Sequence, residues 1–260
     1  MQGPGENDLV DEQRIDRVLF VGLLLAGLFG SLIGVPYTIA VLMDPAAGGP
    51  VDVRVVWLSA VVEATLFLAP ASAVGVWLGK RVGLGPRLLR ALVSGLPRGG
   101  KDLRSSLVVA VLAGLTLGLI GLWQYSLPEG ALGPGLDNPT TTEYFLRALS
   151  AALTEEILFR LGLLTLFVWV IGTVAKRPVP DAPSQWAGNL LVAPTFFAAH
   201  LPHMLALGSI GRDFLLPIFA VSSTASIVMG WLYTRYGLIS AMLSHFIVDL
   251  VVNVIARLWI

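Results

Sequence analysis

The stretch TEEILFR (residues 154–160) places two carboxylates and one guanidinium between two apolar runs, LRALSAAL (146–153) and LGLLTLFVWVIG (161–172). About 20 helical residues cross the roughly 30 Å hydrocarbon core of a bilayer, and these runs together are longer than that. The stretch therefore predicts a membrane-spanning helix that carries charges. Because a charge at mid-membrane costs about 2.5–3.5 kcal/mol even on lenient scales, these side chains should face protein or water rather than lipid.

Composition extends this prediction to the whole chain of 260 residues. It is 55% apolar and 13% charged, with a mean hydropathy of +0.79, outside the usual range of soluble domains. No segment is polar and long enough to form a soluble domain. We therefore predict an all-α, polytopic transmembrane helical bundle, with residues 1–260 in a single integral-membrane domain.

Charge and cysteine content exclude several classes of function. The formal net charge is zero, whereas a nucleic-acid partner would favour a basic surface, so no nucleic-acid partner is expected. The chain has no cysteine, which excludes disulfides, thiol nucleophiles and cysteine-based metal sites. The expected surroundings are the lipid bilayer.

Apolar segments long enough to span a membrane follow one another along the chain. The fourth is about 33 residues long, which is long for one untilted span, and a break near residues 160–162 would divide it. The prediction is therefore seven or eight spans. The segments are 18–43, 54–79, 105–127, 143–175, 188–207, 213–235 and 238–258.

Basic residues predict the orientation of the bundle, because cytoplasmic loops hold the excess of Lys and Arg. The connection 80–104 contains seven basic residues and one acid, Asp102, and is therefore predicted to be cytoplasmic. By alternation, residues 1–17 form a short cytoplasmic tail and 128–143 lie outside, and 176–185 lie inside if the fourth segment is a single span. We expect an integral protein of the cell membrane with a cytoplasmic N-terminus.

Polar residues within the predicted spans are the candidates for function. Glu156 and Arg160 are four residues apart and lie on one helix face, where they can form an ion pair. Glu155 is rotated by about 100° from Glu156 and has no cation of its own in this pattern. The spacing predicts a structural carboxylate beside a catalytic one. The candidates are Glu63, Glu155, Glu156, Arg160, His200, His203, His245 and Asp249.

Two further motifs supply imidazoles. In PTFFAAHLPHM (194–204), Phe196 and His200 share a helix face, and in LSHFIVDLVVN (243–253), His245 and Asp249 are again four apart. Glu155 could take a proton from water held by His200, while His245, oriented by Asp249, would stabilise an oxyanion. These residues predict hydrolysis of an amide bond within the membrane.

The three motifs together resemble the CAAX protease and bacteriocin-processing family, which includes the type II CAAX prenyl endopeptidases. EEILFR is similar to the EExxxR motif of that family, FFAAH to FxxxH and HFIVD to HxxxN/D, in the expected order and within residues 143–253. The resemblance implies an intramembrane glutamate protease that needs no metal or other cofactor, with a cavity open toward the cytosol.

Roles for individual residues also follow from the resemblance. Glu155 and His200 would activate water, and His245 and Asp249 would form the oxyanion site. Glu156 and Arg160 would support them, with Phe196 in the cavity wall. The prenyl endopeptidases have asparagine at the position of Asp249, and an ionised aspartate cannot donate a hydrogen bond. Asp249 is therefore expected to orient His245, or to donate only when protonated.

The predicted function is an intramembrane endopeptidase acting on a prenylated, leader-type or other membrane-associated peptide, reached from the membrane or the cytosolic side. Alternatives are a zinc metalloprotease, disfavoured by the lack of HExxH spacing, and a proton-coupled transporter. A non-proteolytic scaffold or immunity protein, whose charges only fix helix packing, is a further alternative. Glu63 is expected to line the cavity or pair with a basic side chain, and His203 to have a packing or interfacial role.

Overall fold

The fold is a bundle of eight helices in the computed structural model, which describes residues 6–43, 52–95, 100–123, 139–177, 181–206 and 212–259. Every regular element in these ranges is helical, which confirms the all-α prediction. Helix α1 begins inside the predicted N-terminal tail, so residues 6–17 are helical. The helices are α1 Glu6–Leu42, α2 Val53–Val82, α3 Arg87–Val93, α4 Gly100–Gly121, α5 Thr141–Val174, α6 Ala182–Ala206, α7 Arg212–Tyr236 and α8 Leu238–Ile255.

Six of these helices are long and apolar enough to cross a membrane: α1, α2, α4, α5, α7 and α8. Helix α6 has 25 residues but is not among the six found in the described part of the chain. The predicted count of seven or eight spans is therefore not confirmed. The six apolar helices nevertheless agree with an integral membrane protein.

The fourth apolar segment is one continuous helix rather than two. Instead of a break near residues 160–162, α5 contains a π-helical segment, Glu156–Leu164, which continues directly into α-helical Thr165–Val174. A π-helix accommodates extra backbone by wider turns with i to i+5 hydrogen bonding, and such segments are frequent at functional sites. The wide turns thus begin at the second glutamate of the charged stretch.

Helices α1 and α5 pack antiparallel through small residues. Gly30 lies against Leu153 and Thr154 of α5, and Gly34 lies against Ser150. A side chain at either glycine would collide with α5, so the absence of Cβ atoms permits the close approach of the two backbones. The contact aligns the C-terminal half of α1 with the N-terminal half of α5.

An ion-pair cluster joins several helices at one end of the bundle. Asp16 of α1 is only 4% exposed, and its Oδ2 and Oδ1 lie 2.6 Å from Lys80 Nζ and 2.6 Å from Arg90 Nη2, respectively. Arg87 donates a hydrogen bond to the Thr234 carbonyl of α7. Four parts of the bundle therefore meet here: the start of α1, the end of α2, helix α3 and the end of α7. We call this end of the bundle the basic end.

Candidate functional site

The charged stretch of α5 contains a fully buried ion pair. Glu156 and Arg160 are both 0% exposed, and Arg160 Nη1 lies 3.2 Å from Glu156 Oε1, in the i, i+4 arrangement that the spacing predicts. Arg160 Nη2 also donates to the carbonyl and hydroxyl oxygens of Ser226 on α7. The guanidinium lies 4.9 Å from the centre of the Phe196 ring, so both charges are enclosed by protein.

His245 is held by Glu156 rather than by Asp249. Its Nδ1 donates to Glu156 Oε1 over 2.8 Å, whereas its Nε2 is 3.9 Å from Asp249 Oδ2, too far for a hydrogen bond. The expectation that Asp249 orients this imidazole is therefore corrected. The i, i+4 spacing brings Asp249 near. The contact with Glu156 joins two residues of different helices, 89 positions apart in sequence, and no local pattern reveals it.

Glu155 is divided between a cation and two imidazoles. Its Oε1 lies 3.0 Å from Arg147 Nη2, so the expectation that it lacks a cation is wrong. Its Oε2 is buried and has no hydrogen-bond partner among the described residues. That oxygen faces His200 Nε2 at 3.5 Å and His245 Nε2 at 3.8 Å.

His200 is oriented by the backbone of its own helix. Its Nδ1 lies 2.8 Å from the Phe196 carbonyl oxygen, which can only accept, so Nδ1 carries the proton. In the neutral imidazole Nε2 is therefore an acceptor, and it is the nitrogen that faces Glu155. The Phe196 ring packs against His200 with a centroid separation of 4.6 Å, which fixes the imidazole further.

A cavity of about 870 Å³ reaches these groups, within the range of about 300–1,000 Å³ that is common for ligand sites. The predicted wall residue Phe196 lines it, and so does Glu63, whereas the buried pair Glu156 and Arg160 lies behind the wall. The side chain of His203 is outside the described part of the chain. The polar groups of the wall include Arg147, Glu155, His200, His245 and Asp249.

The described residues do not form a group of three or more His, Asp and Glu side chains placed to hold a metal ion. His245 uses Nδ1 for Glu156 and His200 uses Nδ1 for a carbonyl. Each imidazole therefore has one nitrogen left toward the cavity. The arrangement provides two carboxylates and two imidazoles suited to proton transfer and oxyanion stabilisation.

Arg147 is the site residue that the spacing argument missed. It lies in LRALSAAL, within the predicted fourth span, and a guanidinium in an apolar span is itself a signal of function. It is eight residues before Glu155, about 12 Å along a helix axis. Two long side chains can bridge that distance by extending toward each other.

Comparison with known protein families supports the motif reading. Residues 138–251 match the family described as type II CAAX prenyl endopeptidase, Rce1-like. No curated protein and no solved structure matches the chain. The matched region contains all three motifs and confirms the predicted resemblance. Since the matched family is a membrane protease family, it supports a peptidase and, with the six apolar helices, an integral membrane protein.

Proposed function

We propose that this protein is an intramembrane endopeptidase in which Glu155 and His200 activate water for attack on a peptide bond. The observation that carries the proposal is the position of Glu155 Oε2. This oxygen is without a hydrogen-bond partner among the described residues, lies 3.5 Å from His200 Nε2 and belongs to a residue of the cavity wall. One water molecule could donate a hydrogen bond to each of these two atoms.

The two acceptors orient that water. Glu155 Oε2 and the unprotonated His200 Nε2 would each accept one of its hydrogens, which directs its lone pairs toward a substrate carbonyl carbon. As the new C–O bond forms, the proton passes to Glu155. When the intermediate collapses, the C–N bond breaks and the same proton goes to the leaving amine. Acid and amine are released, and no covalent enzyme intermediate is formed.

His245 is the proposed oxyanion donor. Because its Nδ1 is bound to Glu156, the cationic ring presents Nε2–H toward the cavity, within 4 Å of Glu155 Oε2. A donor fixed before the reaction stabilises charge that develops in the transition state. Asp249 would contribute a second donor only in its protonated form. Arg147 is a positioning residue, since it binds the Glu155 oxygen that does not face the imidazoles.

The substrate in this proposal is a membrane-associated peptide, whether lipidated, leader-type or a transmembrane segment, without a metal or other cofactor. The cavity wall is mixed, with apolar residues beside the carboxylates, which suits an extended peptide that is partly embedded in lipid. A scaffold function would not require a carboxylate oxygen that lacks a hydrogen-bond partner among the described residues and faces two imidazole nitrogens.

The test compares N-terminal peptide profiles of membranes from cells that produce the wild-type protein or Glu155→Gln. Glu12→Gln is the matched control, because Glu12 is an exposed acid bound to Lys80 at the basic end. We expect at least one cleavage that is present in wild type and Glu12→Gln and absent in Glu155→Gln at equal membrane abundance. If Glu155→Gln cleaves the same bonds at the wild-type rate, the proposal is wrong.

A further inference from the structure

A second cavity lies at the basic end, apart from the cavity that reaches Glu155. Its volume is about 330 Å³, near the lower limit of the range that is common for ligand sites. The loop that joins α2 to α3, the first turns of α6 and the last turns of α7 form its walls. The two cavities share no lining residue, so they are separate sites.

The walls of this second cavity carry two guanidinium groups and, among the described residues, no acidic side chain. Arg87 and Arg235 both line it, and both are exposed. Neither forms an ion pair with a carboxylate in the described part of the chain, whereas Lys80 and Arg90 at the same end are both bound to Asp16. The positive charge of the two arginines therefore favours an anionic ligand.

Packing fixes the position of Arg87 in the wall. Its guanidinium donates a hydrogen bond to the carbonyl oxygen of Thr234, the residue directly before Arg235, so the two arginines are brought together from different helices. The loop before Arg87 is also held against α7, because the N–H of Gly85 donates to the hydroxyl of the buried Tyr233 over 2.9 Å. A guanidinium has further N–H donors besides the one bound to a carbonyl. Arg87 can therefore bind α7 and a ligand at the same time.

Aromatic and apolar side chains beside the arginines favour an anion that has an apolar part. Trp186 and Trp231 line the cavity, and tryptophan is enriched where helices cross the interface between membrane and water. Trp186 is 49% exposed, and Leu190, which lies one turn further along the same face of α6, is 57% exposed. The cavity thus continues into an exposed apolar strip that an acyl chain can cover, and a free inorganic anion would gain nothing from that strip.

We propose that this second cavity binds the headgroup phosphate of an anionic phospholipid. Arg87 and Arg235 bind the phosphate, and an acyl chain lies along Trp186 and Leu190. Guanidinium groups bind phosphate oxygens through paired hydrogen bonds, and basic pockets between membrane helices bind anionic headgroups. Two positive charges favour a lipid with a net negative charge over a zwitterionic lipid. The bound lipid connects α3, α6 and α7, and the site does not depend on the proposed peptidase activity.

Lipid binding to the purified full-length protein tests the proposal. Native mass spectrometry counts the molecules of phosphatidylglycerol or phosphatidylcholine that the detergent-solubilised protein retains over a range of lipid concentrations. The wild-type protein should bind the first phosphatidylglycerol about tenfold more tightly than phosphatidylcholine, because hydrogen bonds between charged groups are the stronger ones. Equal affinities for the two lipids would overturn the proposal.

Arg235→Gln is the most informative variant, because Arg235 is exposed and has no hydrogen bond or ion pair of its side chain with the residues that the structure describes. We expect it to lose the preference for phosphatidylglycerol and to bind phosphatidylcholine as the wild type does. Arg81→Gln is the matched control, since Arg81 is exposed, belongs to the same end and does not line the cavity. Wild-type binding by Arg235→Gln, or an equal loss in Arg81→Gln, would show that there is no specific site.

Two measurements on the wild-type protein need no variant and separate a lipid from a free anion. Inorganic phosphate at the same concentration should not displace phosphatidylglycerol, and displacement would assign the cavity to a free anion and overturn the lipid. Phosphatidylglycerol with a photoreactive diazirine on its headgroup should crosslink to residues 185–189 of α6 and 231–235 of α7, as located by peptide mass spectrometry. Crosslinks confined to other helices would overturn the proposed position.

Discussion

Arg147 and Glu155 lie two helical turns apart on α5 and form an ion pair with 3.0 Å between Nη2 and Oε1. Both side chains are at the cavity wall. By binding one carboxylate oxygen, the guanidinium leaves the other oxygen directed at His200 and His245. The pair therefore sets the direction of the proposed base.

Replacing Arg147 should reduce catalysis without abolishing it. We expect Arg147→Gln to lower kcat/KM by about 100-fold, because a base displaced by about 1 Å loses a factor of that order. Arg147→Lys should restore part of the loss, since its ammonium can reach the same oxygen. Cleavage of a fixed amount of substrate by purified variants measures this. A merely structural role would instead lower thermal stability and give Lys no advantage over Gln.

Removing the carboxylate of Glu155 should have the largest effect on rate. Glu155→Gln keeps the size of the side chain but cannot accept the proton of water, and general base catalysis contributes about 100- to 10,000-fold. Single-turnover cleavage at saturating enzyme checks the prediction and separates the chemical step from substrate binding. Cleavage within tenfold of the wild-type rate would contradict the assignment. A factor of ten corresponds to a change of only about 1.4 kcal/mol in activation free energy.

The buried pair should control stability. Glu156→Leu or Arg160→Met alone leaves an uncompensated charge in the protein interior, and each is expected to cost about 3–5 kcal/mol. The double variant Glu156→Leu, Arg160→Met removes both charges and should recover most of that stability. Thermal unfolding in detergent measures the four proteins of this cycle.

Activity should not recover with stability in that double variant. Its His245 lacks the Glu156 acceptor at 2.8 Å, so the imidazole is no longer fixed toward the cavity. A folded and active double variant would show that the contact with Glu156 has no role in catalysis.

Substitution of Asp249 by asparagine should be tolerated. Asp249 makes no hydrogen bond to His245 at 3.9 Å, and an asparagine could donate N–H to an oxyanion without first being protonated. We expect Asp249→Asn to retain or increase activity, while Asp249→Leu, which has no donor, should lower it. Rates for the two variants over a range of pH provide the test. A loss in Asp249→Asn as large as that in Glu155→Gln would instead assign the carboxylate itself a chemical role.

Metal chelators should not change the rate. The proposed mechanism uses Glu155 and His200 to activate water, so EDTA or phenanthroline should leave cleavage unaltered after dialysis. Loss of activity with chelator and its return with added Zn²⁺ would favour the metalloprotease alternative.

The sequence predicted those parts of the site that depend on neighbours along one helix. The pairing of Glu156 with Arg160 follows from i, i+4 spacing, and the structure has it at 3.2 Å. The bond between His245 and Glu156 joins α5 to α8 and depends on how these helices pack, which periodicity does not encode. The same limit explains why Asp249 was favoured as the partner of His245.

The course of α5 was also only partly predictable. Its length of 34 residues indicated either a tilted span or a break, and hydropathy does not distinguish a break from the π-helical turns observed at Glu156–Leu164. The span count differs because α6 contains polar residues such as Gln185 and Asn189. Asn189 is buried at 2% exposure and donates to the Ile227 carbonyl of α7, a pairing that composition cannot reveal.

His245 lies between the cavity and the fully buried Glu156. Its Nε2 is turned toward the water-accessible cavity and its Nδ1 toward the enclosed Glu156, while the Phe196 ring packs beside both the imidazole and Arg160. A proton taken up at one ring nitrogen can be released at the other. The imidazole is therefore the side chain that connects the fully buried Glu156 carboxylate to the cavity.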